Sequence, residues 1–178
     1  MRQEVRLAGF GGQGIILAGY VLGRAAALYG GKEAVLTQSY GPEARGGACA
    51  AELIISDEPI DYPLVTRPDL VFCMSQEAFN RYGVDAAEGA KLMVDTDLVP
   101  SATGSEWLRH IRATHLAEEL GNRMSANMVM LGFFAGVTGV VARKALEEAV
   151  RNTVKPRTVE LNLKALDIGF EEAAGARR

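Results

Sequence analysis

Cysteine, histidine and aromatic side chains are all scarce in this chain. Its 178 residues include two Cys, two His and one Trp, with aromatics at 7%. Cys49 and Cys73 stand alone, each inside an apolar stretch that reads as a strand, so both are expected to be small buried hydrophobes and not a disulfide or metal ligands. An iron–sulfur cluster normally takes about four Cys thiolates, which this chain does not have for itself. His110 and His115 lack a Cys or carboxylate at zinc-ligand spacing, and there is no Gly-x-Ser-x-Gly elbow, so neither a metal site nor catalytic residues of its own are expected. Positive charge is also not in excess: 19 Lys and Arg against 22 Asp and Glu leave a formal charge of -3. Without a basic field, generic nucleic-acid binding is excluded. At the N-terminus Arg2, Glu4 and Arg6 alternate with apolar residues, unlike a signal peptide, and the expected compartment is the cytoplasm. The one long uncharged run, Met124 to Ala142, contains Asn127, Thr138 and three glycines. It reads as a buried or interface helix and not a membrane span, with Gly132 and Gly136 permitting close helix contact.

What the chain does have is an ordinary globular balance, 48% hydrophobic and 23% charged, over a length that suits one domain, residues 1–178. Glycine is the exception: 20 residues, of which 11 fall within the first 47. Average usage is about 7%, so this local excess marks a place near the N-terminus that needs bare backbone. Acidic residues are also unevenly placed, with nine between Asp57 and Asp97 against three basic ones. That stretch reads as solvated loops and helix faces, the alternative being a face for a basic partner.

Strands are expected at Val5–Ala8, Ala34–Gln38, Ala48–Ile55, Leu70–Met74, Lys91–Val94 and His110–Ala113. Helices are expected at Gly14–Tyr29, around Gln76–Tyr82, at Leu116–Leu120, from a Ser125 N-cap through the uncharged run, at Arg143–Val154 and at Val159–Ala173, with a frayed tail after Gly175. Asp95 and Asp97, at the end of the fifth strand, suggest a solvated turn with a helix cap, or less readily a Mg2+ site. Alternating strands and helices followed by a helical C-terminal third predict an α/β fold of three layers: a largely parallel sheet with helices on both faces.

Gly9-Phe10-Gly11-Gly12-Gln13-Gly14 follows the first strand and opens the first helix, satisfying the G-x-G-x-x-G template. Glycines allow a tight turn, and a helix N-terminus presents free N–H groups and partial positive charge to an anion. A dinucleotide site also needs an acid at the end of the second strand. That strand ends Thr37-Gln38-Ser39-Tyr40, and Glu33 lies at its start. A stand-alone NAD or FAD module is therefore the alternative and not the leading reading. Ser39-Tyr40-Gly41-Pro42-Glu43-Ala44-Arg45-Gly46-Gly47 leaves the second strand at the same edge, where open α/β sheets bind ligands. Gly11, Gly12, Gln13, Gly14, Ser39, Tyr40, Arg45 and Gly46 are the candidate cofactor-binding residues.

These two loops, together with Ile55-Ser56-Asp57-Glu58-Pro59-Ile60, Met74-Ser75-Gln76-Glu77-Ala78 and Asn127-Met128-Val129-Met130-Leu131-Gly132, resemble the gamma chain of 2-oxoacid:ferredoxin oxidoreductases, in wording nearest the 2-oxoglutarate branch. The resemblance covers most of the chain in the right order. It implies one pyruvate/ketoisovalerate oxidoreductase gamma-type domain within a complex of alpha, beta and small ferredoxin-like subunits, with ferredoxin as acceptor. In that complex a 2-oxoacid is decarboxylated on thiamine diphosphate with Mg2+, electrons leave through an iron–sulfur cluster and the acyl group passes to coenzyme A. The chain has no Gly-Asp-Gly thiamine signature, so the resemblance assigns thiamine and cluster to partner chains. It leaves open whether the glycine loop faces coenzyme A or a partner surface, and whether the isolated chain forms a homo-oligomer.

Overall fold

The computed structural model describes residues 1–41, 47–83, 86–103 and 106–176. Six strands form one sheet in the order β2-β3-β1-β4-β5-β6: β1 is Arg2–Phe10, β2 Glu33–Tyr40, β3 Ala48–Ser56, β4 Leu70–Cys73, β5 Lys91–Asp95 and β6 Leu108–Ile111. The central strands are apolar on both faces because both are covered, the pattern that two-sided burial produces. β4, for example, is buried along its whole length.

The sheet is mixed. β1, β4, β5 and β6 pair in parallel, whereas β3 runs antiparallel to both β1 and β2. Five of the six strands therefore share one direction and β3 alone opposes them. The last strand begins two residues earlier than its apolar pattern suggests, because Arg112 and Ala113 already belong to the helix entry that follows.

Helices cover the two faces unequally. On one face lie α1 (Ile15–Arg24, extended by a wide π-type turn over Ala25–Tyr29), α3 (Ala113–Glu119), α4 (Ala126–Thr138), α5 (Arg143–Arg151) and α6 (Val159–Ala176). The other face carries the short α2 (Gln76–Ala78), its π-type continuation through Gly83, and Val99. α4 is the uncharged helix. It is buried on nearly every side because the sheet lies under it, with Phe134 edge-on to Phe72 at 5.6 Å, while α6 covers it. A Cβ at Gly136 would stand 2.5 Å from that of Ala173, so the two helices touch through bare backbone. Among the described residues no helix is long and apolar enough to cross a membrane.

Local expectations shift in three places. Ser125 stands at the start of α4 but makes no capping bond through its side chain; Asn122 caps the 3-10 turn Arg123–Ser125 before it, accepting from Met124 N at 2.9 Å, and Ser125 Oγ donates to Asn122 O. α6 continues past Gly175 to Ala176, and residues 177 and 178 lie outside the described residues. The acidic stretch is not one outward face. Asp57 pairs with the N-terminal ammonium at 2.7 Å, and Asp69 accepts from Glu4 N at 2.8 Å. Asp95 is fully buried and not part of a solvated turn.

Cys49 and Cys73 are both buried, on opposite faces of the sheet, where they share neither a disulfide nor a ligand. Burial pushes the Cys73 thiol up to about 12, so it stays protonated and unreactive.

Candidate functional site

β1 leads into α1 on one face of the sheet and β4 leads into α2 on the other. Their carboxyl ends therefore diverge, opening the crevice where doubly wound sheets bind ligands. The glycine loop occupies that crevice. Gly12 and Gly14 take positive φ of 105° and 74°, conformations that a Cβ would strain. Gly9 is bare for a different reason: a Cβ there would lie 2.6 Å from Gln13 Oε1 and Ile15 Cδ1.

Gln13 braces the turn. Its Oε1 accepts from Phe10 N at 2.6 Å and its Nε2 donates to Met74 O at 2.8 Å, tying the loop to the end of β4. The carbonyl of Gly14 accepts both the first helical bond, from Ala18 N at 3.0 Å, and Asn127 Nδ2 from α4 at 3.1 Å. The next three amides, Ile15 to Leu17, precede the first helical donor and face the end of the helix, the arrangement that favours an anion.

Two cavities flank this loop and share Gly12 and Met124. The first, about 340 Å³, lies between Phe10, Gln13, Ser75, Leu98 and Thr114. The second, about 370 Å³, lies between Gly14, Leu17 and Asn127 on one side and Thr153, Lys155 and Asn162 on the other. Met124 is 67% exposed at their common rim, whereas Met128 and Met130 fill the core.

Of the second-loop residues, Ser39 Oγ lies 3.3 Å from the Tyr82 hydroxyl, and Tyr40 projects outward with its hydroxyl donating to Gln38 Oε1 at 2.6 Å. Neither lines the two cavities; they stand beyond β3 from them. Arg45 and Gly46 lie outside the described residues. The two loops nevertheless meet at Gly47, whose carbonyl accepts from Gly11 N at 3.0 Å, while Gly41 N donates to Ala48 O at 2.9 Å between β2 and β3.

Asp95 and Asp97 supply the helix cap expected of that turn, whereas Thr114 carried no sequence signal of its own. Asp95 Oδ2 accepts from Thr114 N at 3.0 Å and from the Thr114 hydroxyl at 2.6 Å, while Asp97 Oδ2 accepts from His115 N at 2.9 Å, so the two acids cap α3. Burial pushes the Asp95 carboxyl above its ordinary range, and the bonds from Thr114 and the Asp97 amide oppose that push. Asn127 and Ser75 lie in stretches whose wording is informative, but only the fold brings them to the loop. Among the described residues no three His, Cys, Asp or Glu side chains cluster to hold a metal.

A family model described as pyruvate ferredoxin/flavodoxin oxidoreductase matches residues 4–172. The 2-oxoglutarate synthase subunit KorC of Methanocaldococcus jannaschii is 51% identical, the match covering 97% of this chain and 95% of that one. Among solved structures, the gamma subunit of a keto/oxoacid ferredoxin oxidoreductase from Geobacter sulfurreducens superposes with a TM-score of 0.90 at 44% identity, over 99% of this chain and 98% of that one. A 2-oxoglutarate:ferredoxin oxidoreductase from Magnetococcus marinus, with 2-oxoglutarate, coenzyme A and succinyl-CoA bound, shares the fold with a TM-score of 0.84 at 22% identity. In that case the match covers 98% of this chain but 31% of the other, so the fold occurs there as one part of a longer polypeptide.

Proposed function

Because this chain belongs to the pyruvate ferredoxin/flavodoxin oxidoreductase family, we propose that it works as the gamma subunit of a 2-oxoglutarate:ferredoxin oxidoreductase and supplies part of the coenzyme A site. The observation that carries the reading is the near full-length 51% identity to a 2-oxoglutarate synthase subunit. A chain with a well-formed crevice but only two cysteines, on opposite sheet faces, suits a subunit that binds and encloses while others do the redox chemistry. The stand-alone dinucleotide module is not supported, since β2 ends without the acid that a ribose requires.

Thiamine diphosphate, Mg2+ and iron–sulfur cluster belong in this reading to the alpha, beta and small ferredoxin-like subunits, with ferredoxin as acceptor and the cytoplasm as compartment. The residues present do not fit those groups, and no step runs through them here. They do fit coenzyme A. The second cavity sets Lys155 opposite the start of α1, a suitable place for a phosphate, and Gly12, Gln13 and Gly14, preceded by Gly11, form the ridge between the two cavities. Bound there, coenzyme A supplies the thiol that takes the acyl group. Ser39, Tyr40, Arg45 and Gly46 of the second loop serve, in this reading, the cofactor or the partner surface.

The test is reconstitution. The purified chain alone is expected to reduce no ferredoxin with any 2-oxoacid, while co-expression with the partner subunits gives coenzyme A-dependent reduction that is fastest with 2-oxoglutarate. Activity of the single chain, or a preference for a different oxoacid, overturns the corresponding half of the proposal.

A further inference from the structure

Two hydroxyl residues, Ser75 and Thr114, stand in the otherwise largely apolar wall of the first cavity, and a buried acid bonds one of them from behind. Asp95 is fully buried at the end of β5. Its Oδ1 accepts from Asp97 N at 3.2 Å, and its Oδ2 accepts both the backbone amide and the hydroxyl of Thr114. A threonine hydroxyl has one proton to give. At 2.6 Å the bond falls in the range of about 2.5–2.7 Å typical of a hydroxyl donating to a carboxylate. The Thr114 proton is thus committed to Asp95, and what this residue of the cavity wall has left to offer from its hydroxyl is lone pairs.

Ser75 is the converse. Its Oγ accepts from Ala78 N at 3.2 Å as the N-cap of α2, which leaves its proton free to be donated into the cavity. Gln13 is already engaged at both ends of its amide, and Arg123 at the rim is paired with Glu118 at 3.2 Å. The rest of the wall is largely apolar, with Phe10, Leu98 and Met124.

From this we infer that the cavity beside Gln13 is a subsite for a neutral secondary amide, whose N–H is taken by Thr114 and whose carbonyl is met by Ser75. A phosphate or carboxylate does not suit it: an anion has no proton for Thr114 and would be buried against the charge of Asp95. The inference rests on the coenzyme A reading and deepens it, for the pantetheine arm of that cofactor is a chain of secondary amides. The arm then lies on the Thr114 side of Gly12 and the phosphates on the Lys155 side. Asp95 is a positioning residue, since it acts through the Thr114 hydroxyl.

The experiment uses the assembled complex and two acceptors: coenzyme A, and analogues in which one pantetheine amide N–H at a time is replaced by an ester oxygen. One ester analogue is expected to raise KM about tenfold on the wild type, the usual worth of a buried neutral hydrogen bond left unmade. Thr114→Val raises KM for coenzyme A by the same factor, the effect falling on KM and not on kcat, and no longer distinguishes amide from ester. Thr114→Ser restores the distinction. Asp95→Asn keeps an oxygen toward the two Thr114 donors but removes the charge that holds the hydroxyl proton inward, so the preference for amide over ester shrinks.

Equal KM values for coenzyme A and every ester analogue on the wild type overturn the subsite. That result needs no variant, so misfolding of Asp95→Asn or Thr114→Val does not rescue the inference. It also leaves the coenzyme A reading standing, whereas ferredoxin reduction independent of coenzyme A would sink that reading first.

Discussion

Gly12 and Gly169 lack side chains for opposite reasons. A Cβ added at Gly12 meets nothing within 4 Å, and the residue is glycine because its φ of 105° strains any other L-residue. Gly169 has no unusual backbone angle, but a Cβ there would land on the carbonyl oxygen of Val129 and 2.6 Å from Phe133 N. Around Gly169, on α6, the missing atom allows two helices to approach; around Gly12 it leaves a turn open to solvent and to whatever enters the crevice. A glycine kept for space is part of the core, whereas one kept for its backbone angle, with nothing beside it, is available to a ligand. Gly14 belongs to both classes, since its φ is 74° and a Cβ would strike the Asn127 amide.

The sharpest way to break this comparison is to fill both regions. Gly169→Ala forces α6 away from α4 and is expected to cost about 3 kcal/mol, because backbone atoms do not move aside as a side chain would. Thermal unfolding of the purified chain measures this. A loss below about 1 kcal/mol would mean that the two helices are not pressed together as described.

Gly14→Ala comes next, at about 2 kcal/mol for the left-handed backbone and the contact with Asn127 combined. Pairing it with Asn127→Ala separates the two causes. If the clash matters, the double variant loses less than the two single losses together; strict additivity assigns the whole cost to the backbone.

Gly12→Ala tests the other class. Its neighbourhood is open, so stability should fall by only about 1 kcal/mol, the penalty of a left-handed angle. In the assembled complex, KM for coenzyme A is expected to rise by more than that loss explains, because the turn can no longer hold the shape that lines both cavities. Unchanged KM in Gly12→Ala would remove the ridge between the cavities from the site.

These differences also mark what the chain alone made legible. The loop at Gly9–Gly14, the strand before it and the helix after it are local, and their spacing located them. Direction is not local: the apolar pattern of Ala48–Ser56 is the same whether β3 runs with or against β1, and only the pairing of Arg2 with Ser56 decides. Entry into α3 depends on Asp95 and Asp97, which accept from Thr114 and His115, 19 and 18 residues further along the chain. Thr114 carries no motif, and its role exists only because the fold places Asp95 behind it. Counting glycines drew attention to the right loop but did not separate it from the α4–α6 seam.

The smallest expected effect lies at the end of β1 away from the glycine loop. Glu4 is buried there, and its Oε2 accepts from Thr66 N at 2.7 Å and Arg67 N at 3.0 Å while its Oε1 takes Arg2 at 2.7 Å. Burial pushes the Glu4 carboxyl up, but the bonds from Arg2 and the two amides outweigh it and hold the carboxyl below its ordinary value. A depressed carboxylate contributes stability that is present above the unfolded-state pKa and lost as pH falls through it toward the folded value. Wild-type stability should therefore decline on acidification through that window, and Glu4→Gln should show a shallower decline together with a loss of about 1 kcal/mol at neutral pH. KM for coenzyme A should stay unchanged in this variant, since Glu4 sits at the opposite edge of the sheet from Gly12. A rise in KM would show that the two ends of β1 are coupled, and that the loop's shape is set by strand placement as well as by its own glycines.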